Sequence, residues 1–295
     1  MSIRSLLQSS SSPTLSFELF PPKTAEAEKS LYENLERLAA LSPSFISVTM
    51  GAMGTNKGNT MEIVHRIQKD YGINGVAHLT CVNATRDNML SIFEELKRYG
   101  IHNLLCLRGD PPQGTASFQA PENGFRYANE LVSFVREKTG NAFSIGVAGY
   151  PEGHPECGDK EADLQHLKLK IDAGGEYVLT QLFFDNEDYF RFVERARKSG
   201  IDVPIIPGIM PITNFNQLKK FTQMCGAKIP AKMAQDLEKI KDDLPAVRRY
   251  GVEYAVSQCE GLLKKKAPGL HFYPLNQSDS VQKILQSLKQ KGFFL

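Results

Sequence analysis

The stretch IHNLLCLRGDPP, residues 101–112, decides how the rest of the chain is read. Leu104, Leu105, Cys106 and Leu107 form an unbroken apolar run, the pattern of a parallel strand covered on both faces. Pro111 and Pro112 cannot extend a central strand, because neither has the N–H that the ladder requires. A buried strand therefore hands over abruptly to Arg108, Gly109 and Asp110. Taken alone, such a terminus is either a surface ion pair with a turn glycine or the floor of a ligand site.

The same cadence recurs on both sides: an apolar run, a polar or glycine-rich loop, then a helix-period segment. Strands are predicted over residues 14–20, 45–49, 75–82, 104–107, 143–148, 177–183, 203–206 and 270–273. Thr24 can cap the first intervening helix, with Glu26 and Glu28 near its positive end and Leu31, Leu35 and Leu38 on one face. Later segments repeat the period, as in Met89, Phe93 and Leu96 after Thr85, or Tyr189, Phe192 and Ala196 before Gly200. A further helical region, about residues 231–265, precedes the eighth strand, and the loop from Arg108 to about Arg126 exceeds the usual connection length. Eight strands alternating with helices predict an α/β fold, a (β/α)8 TIM barrel. Neither a G-x-G-x-x-G turn nor a Walker P-loop is present, which disfavours an open doubly wound sheet.

The 295 residues suit one barrel domain over 15–295, behind a flexible Ser-rich N-terminal tail at 1–14. Five scattered cysteines without CxxC pairing suggest structural thiols in a reducing compartment. His154 and Cys157 have half a metal-site spacing but no second ligand pair, so no metal is expected. A net charge of +2 with interleaved signs gives no nucleic-acid footprint, and no apolar run approaches the roughly 20 residues of a membrane span. The opening segment lacks the apolar core of a signal peptide, so a cytoplasmic protein is expected.

In a barrel the C-terminal strand ends form one rim, where residues distant in sequence meet. Those ends are polar throughout: Glu18, Thr49, His78 with Thr80, Arg108 with Asp110, Tyr150 with His154, Gln181, and a predicted Pro207-Gly208 turn. Each polar residue is commonplace at a strand end, but together they favour a rim site. Glu18 stands among Phe17, Leu19 and Phe20; apolar cover there would favour its neutral form and suit a general acid, whereas solvent or a salt bridge would make it an ordinary glutamate.

Seven motifs in order resemble the methylenetetrahydrofolate reductase family. They are SFELFPPK at 16–23, SVTMGA at 47–52, HLTC at 78–81, LRGDPP at 107–112, YPEGHPE at 150–156, TQLFFD at 180–185 and PGIMPI at 207–212. The resemblance implies a single-domain, bacterial-type, FAD-dependent oxidoreductase of one-carbon metabolism and methionine biosynthesis. It takes hydride from NADH or NADPH onto flavin and then, by ping-pong exchange, reduces 5,10-methylenetetrahydrofolate to 5-methyltetrahydrofolate. By the same resemblance Glu18 protonates folate N10 to open the ring, and Asp110 is the ionised carboxylate that faces the cation and contacts the pterin. Thr49, Met50, Ala52, His78, Arg108, Gly109, Asp110, Ala128, Tyr150, His154, Cys157, Asp163, His166 and Lys170 are implied at the flavin, with Lys170 near its phosphates. Gln181, Gln217, Phe221 and Gln277 are implied at folate or nicotinamide. His166, Leu169 and Gln277 depart from the bacterial pattern of Asn, Arg and Arg, which bears on the adenine end and the folate glutamate tail. A homodimer or homotetramer is also implied. The alternatives are another FAD-barrel oxidoreductase, such as a proline dehydrogenase-like enzyme, or a non-catalytic folate- or flavin-binding relative.

Overall fold

The computed structural model describes residues 1–50, 57–110 and 118–294. Eight parallel strands close into a barrel in chain order: β1 Thr14–Leu19, β2 Phe45–Val48, β3 Asn74–Thr80, β4 Asn103–Leu107, β5 Ser144–Gly149, β6 Tyr177–Leu182, β7 Ile205–Ile209 and β8 Gly269–Phe272. A helix precedes β1 (α1, Ile3–Ser9), and the strands alternate with α2 Ala25–Ala39, α3 Lys57–Tyr71, α4 Arg86–Arg98, α5 Ala128–Thr139, α6 Lys160–Asp172, α7 Asn186–Lys198 and α8 Phe215–Cys225. Two more helices, α9 Ala231–Ile240 and α10 Leu244–Lys264, fill the predicted extra region before β8, and α11 Asp279–Gln290 follows it.

Local chemistry sets these boundaries. Thr24 accepts the Ala27 N–H at the start of α2, and Thr85 forms a reciprocal capping box with Asn88 at α4. Asp159, Asp185 and Asn214 cap α6, α7 and α8 in the same way. Along each strand the side chains alternate between two cores. Leu15, Phe17, Leu19, Ile46 and Val48 face the helices, whereas Phe45, Val76, Leu105, Tyr177, Leu179 and Ile206 form a separate cluster. The second set lies inside the barrel, as period-two alternation on a closed sheet demands.

The strand registers show how the interior is stacked. His78 pairs with Leu105 and Leu105 with Gly146; Ala148 pairs with Leu179 and Leu179 with Ile206; Gly208 pairs with His271 and Ser16 with His271. Stepping two residues up at each odd strand places Glu18, His78, Ala148 and Gly208 at one level, the four-residue layer of such barrels. Ser47, Leu105, Leu179 and His271 form the level beneath. The interior is therefore divided, with polar groups on β8, β1, β2 and β3 and aliphatic groups on β4 and β6. Where β5 offers only Gly146, the Tyr177 ring fills the space: a Cβ there would lie 2.4 Å from it.

Two expectations change. The segment expected to be a flexible tail contains α1, whose Ile3 is fully buried at the barrel floor. The Ile3 and Arg4 N–H groups donate to Asn103 Oδ1 and Ser144 Oγ, at the N-terminal ends of β4 and β5. One buried isoleucine and two hydrogen bonds to distant strands were not visible in a Ser-rich local composition. The seventh strand begins later than residues 203–206 and runs through Pro207 and Gly208, which were expected to form a turn. A register irregularity between β6 and β7 accommodates the residue that has no N–H to give.

Ile3→Ala should lower unfolding free energy by about 2–3 kcal/mol, as a large-to-small change at a buried contact does. Urea denaturation measures this, and ligand binding at the opposite pole should be unaffected; a loss under ~0.5 kcal/mol would mean that α1 is not docked.

Candidate active site

Glu18 is the second-last residue of β1 and lies inside the rim. Its Oε2 is 3.4 Å from His78 Nε2 on β3 and 3.8 Å from His271 Nε2 on β8. Both imidazoles are buried, and among the described residues neither Nε2 has a hydrogen-bond partner. Burial pushes the His78 pKa down, against the opposing pull of Glu18. His271 is fixed by Ser16 Oγ, 2.9 Å from Nδ1, by the Phe45 ring stacked on it, and by Tyr273 edge-on. Tyr273 donates to the Thr180 carbonyl, and the Gly208 N–H donates to Thr180 Oγ1, so the far wall is braced as well.

The β4 and β5 ends form a second group. Arg108 makes two 2.6 Å bonds to the Glu156 carboxylate, its Nε–H donates to the Gly109 carbonyl, and Phe118 lies 5.4 Å from its guanidinium carbon. The bidentate contact leaves one N–H on each terminal nitrogen. Gly109 has a φ of +84°, and a Cβ would lie 2.6 Å from Val82, so the backbone passes where a side chain would not fit. Tyr150 and His154 meet edge-to-face at 4.7 Å. Burial lowers the His154 pKa, reinforced by the nearby Arg108 charge, and raises that of Asp163. Lys170 reaches from α6 to donate to the Ala148 carbonyl at 2.6 Å; burial pushes its pKa down to about 8, with Asp163 opposing.

A third group lies beyond β7 and β8. Gln217 and Phe221 on α8 line one pocket with Met210, Leu218 and Leu275. The loop that carries Leu275 takes a left-handed backbone at both Leu275 and Asn276, with φ of 52° and 59°. Asn276 holds it down: its Oδ1 accepts the Phe20 N–H and its Nδ2 donates to the Phe20 carbonyl, both at 2.9 Å. Gln181 is half-buried with its Oε1 accepting the Leu182 N–H, and Gln277 is exposed.

Of the residues singled out from sequence, Glu18 and His78 meet directly. Tyr150, His154, Asp163 and Lys170 gather with Arg108 around the β4 and β5 ends. Asp110 is exposed beside this group and adds its charge to the surroundings of Arg108 and Tyr150. Thr49 and Met50 follow β2 directly, and Met50 Sδ accepts a 3.8 Å contact from Thr80 Oγ1. Ala128 starts α5, and Cys157 and the exposed His166 flank Asp163 in sequence, on the β5–α6 loop and on α6. Ala52 lies outside the described residues. Sequence reasoning missed Ser16, His271, Tyr273, Glu156 and Asn276. The signal for two of them was present: with Gly269 at a strand start, period-two alternation turns His271 and Tyr273 to the same face. Among the described residues no three His, Cys, Asp or Glu side chains are grouped to hold a metal, and no helix is long and apolar enough to cross a membrane.

The family model for methylenetetrahydrofolate reductase matches residues 2–289. The chain is 40% identical over 274 residues to 5,10-methylenetetrahydrofolate reductase of Escherichia coli (strain K12), covering 93% of this chain and 90% of that protein. It is 40% identical over 282 residues to methylenetetrahydrofolate reductase (NADH) 1 of Arabidopsis thaliana, covering 92% of this chain and 48% of the relative. The chain thus spans about half the length of the plant relatives it matches. A Clostridium thermocellum protein whose solved structure binds two copies of 5-methyl-5,6,7,8-tetrahydrofolic acid superposes with a TM-score of 0.68 at 17% identity, covering 99% of each chain, which shows a shared fold.

The depressed Lys170 pKa has a testable sign. In the unfolded chain this amine titrates near 10.5 and in the folded one near 8, so between those values the unfolded state binds more protons and stability rises with pH. In ligand-free protein Lys170→Met should flatten that rise. Denaturation midpoints at pH 7, 8, 9 and 10 check this: equal slopes for wild type and variant would place Lys170 in solvent.

Proposed function

The chain belongs to the methylenetetrahydrofolate reductase family, and from that premise we propose that it is an FAD-dependent reductase. It moves hydride from NADH or NADPH to 5,10-methylenetetrahydrofolate and releases 5-methyltetrahydrofolate, the two substrates taking turns at one site. The observation that carries this reading is Glu18: a carboxyl held inside the rim against two buried imidazoles.

The donor set suits an anionic dinucleotide. Lys170 makes one hydrogen bond, to a carbonyl, which leaves two N–H groups for phosphate oxygens. Arg108 has two further N–H groups, and Gly109 permits close backbone approach. Arg108, Gly109, Tyr150, His154, Asp163 and Lys170 would hold FAD on the β4 and β5 side, with Thr49, Met50 and His78 on the β2 and β3 side. Ala128, Cys157 and His166 would lie toward its outer end. When bound, the flavin accepts hydride from nicotinamide and passes it to folate.

The protein's own groups supply the acid–base chemistry. Glu18 gives its proton to folate N10, so that the C–N10 bond of the five-membered ring can break and leave a cation at N5. Asp110, exposed at the β4 end, supplies a negative charge near that cation and a hydrogen-bond acceptor for the pterin. Phe221 offers an aromatic face in the pocket it shares with Gln217, and either substrate can stack on it. Gln181 and Gln277 supply amides on the folate side. The nicotinamide half-reaction requires no proton from Glu18.

Purified protein should be yellow, bleach anaerobically on NADH or NADPH, and recolour on methylenetetrahydrofolate. Glu18→Gln should slow recolouring ~10²–10⁴-fold, the span of general acid catalysis, while bleaching continues. Asp110→Asn should impair recolouring with FAD retained. Protein that cannot take up FAD would overturn the proposal, whereas bleaching without folate-dependent recolouring would indicate a different electron acceptor.

A further inference from the structure

We propose that α10 sets the width of the pocket beside Phe221, and that Gly251 is the positioning residue on which that width turns. The occupant, folate, is that of the reaction proposed above, on which this proposal rests. α10 takes part in two cores. Ala255 and Cys259 pack into the main core around the barrel, whereas Val247 belongs to a separate cluster with Met210, Ile212 and Leu218, three residues that line the pocket.

One stripe of the helix, Gly251, Tyr254, Gln258 and Gly261, meets the loops that leave β6 and β7. Steps of three, four and three residues keep these positions on a single face. The Tyr254 hydroxyl donates to the Phe184 carbonyl at 2.6 Å, and Gln258 Nε2 donates to the Phe183 carbonyl at 2.8 Å. At one end of the stripe Asn186 Nδ2 donates to the Gln258 carbonyl, and a Cβ on Gly261 would lie 2.7 Å from that nitrogen. At the other end a Cβ on Gly251 would collide with the Ile212 carbonyl oxygen and lie 2.8 Å from the carbonyl carbon. Glycine is a poor helix former, yet it stands in mid-helix at 251, where neighbouring backbone leaves no room for a side chain.

Ile212 carries the effect to the ligand side. It lines the pocket and stands two residues before Asn214, whose Oδ1 accepts the Gln217 N–H at 2.9 Å and caps α8. Phe221 lies about one turn further along the same helix. Bulk added at 251 cannot be relieved by withdrawal of α10, which its core residues and its bonds to Phe183 and Phe184 hold in place. The Ile212 peptide yields instead, toward the cavity, and takes the start of α8 with it. Gly251 thus acts on the substrate without touching it, through one carbonyl.

The holoenzyme tests this in the recolouring step, followed against methylenetetrahydrofolate concentration. Gly251→Ala should raise the half-saturating concentration about tenfold. The limiting rate should stay within about twofold of wild type and FAD content should not change, the split expected when ground-state binding is lost. Tyr254→Phe, which removes only the bond to Phe184, should raise the half-saturating concentration about threefold. Phe221→Leu should weaken binding by itself but restore room in Gly251→Ala, so that the pair raises the half-saturating concentration by less than the product of the separate effects. If Gly251→Ala does not accumulate as folded protein, Tyr254→Phe and its combination with Phe221→Leu decide the question in the same way. Unaltered half-saturation in the α10 variants would overturn the proposal. Effects that multiply independently would do so as well, since general loosening has no reason to couple to Phe221. Wild type that does not recolour at all would instead remove the folate reading itself, and the proposal with it.

Discussion

Pairing of β1 with β8 is the constraint on which the rim depends. The ladder Thr14 with Gly269, Leu15 with Leu270, Ser16 with His271 and Phe17 with Phe272 joins residues some 255 positions apart and closes the sheet. Without it Glu18 would have neither Ser16–His271 beneath nor Asn276 beside it. A second lock lies just above, where Asn276 reproduces a strand's donor and acceptor for Phe20. The residue after Phe20 is proline, so ordinary pairing stops there, and a side chain takes over the work of a backbone.

The barrel's polar half exists because β8, β1, β2 and β3 each turn a Ser, Glu or His inward where β4 and β6 turn Leu. Burying such groups is costly unless they satisfy one another. Ser16 and His271 do so, while Ser47 Oγ and the two Nε2 atoms lack a partner among the described residues. Polar atoms left open beneath a rim are what a site with work to do retains, and the apolar half supplies the stability that tolerates them.

The fold was legible because each βα unit repeats the same local chemistry: an apolar run, a breaker, a cap such as Thr24 or Thr85, and a stripe such as Leu31, Leu35 and Leu38. Glu18 and Arg108 could be singled out because they stand beside breakers in recognisable motifs, and Lys170 through the family resemblance. Alternation from Gly269 could turn His271 inward, but its meeting with Ser16 lies in a register that exists only after closure. The same holds for Glu156, whose meaning depends on Arg108 from a neighbouring strand end, and for Ile3, whose burial is created by β4 and β5. Pro207 misled because loss of an N–H ends an ordinary strand but not one whose partner carries an irregularity at that point.

The N-terminal helix carries a consequence for how the molecule is made. Its docking partners, Asn103 and Ser144, leave the ribosome long after Ile3 does, and β1 waits for residues 269–272 to cover its second edge. The helix and that second edge are thus fastened only by residues that lie a hundred or more positions further along the chain. Until each partner is made, that isoleucine and that strand edge are open to passing chaperones and to neighbouring nascent chains.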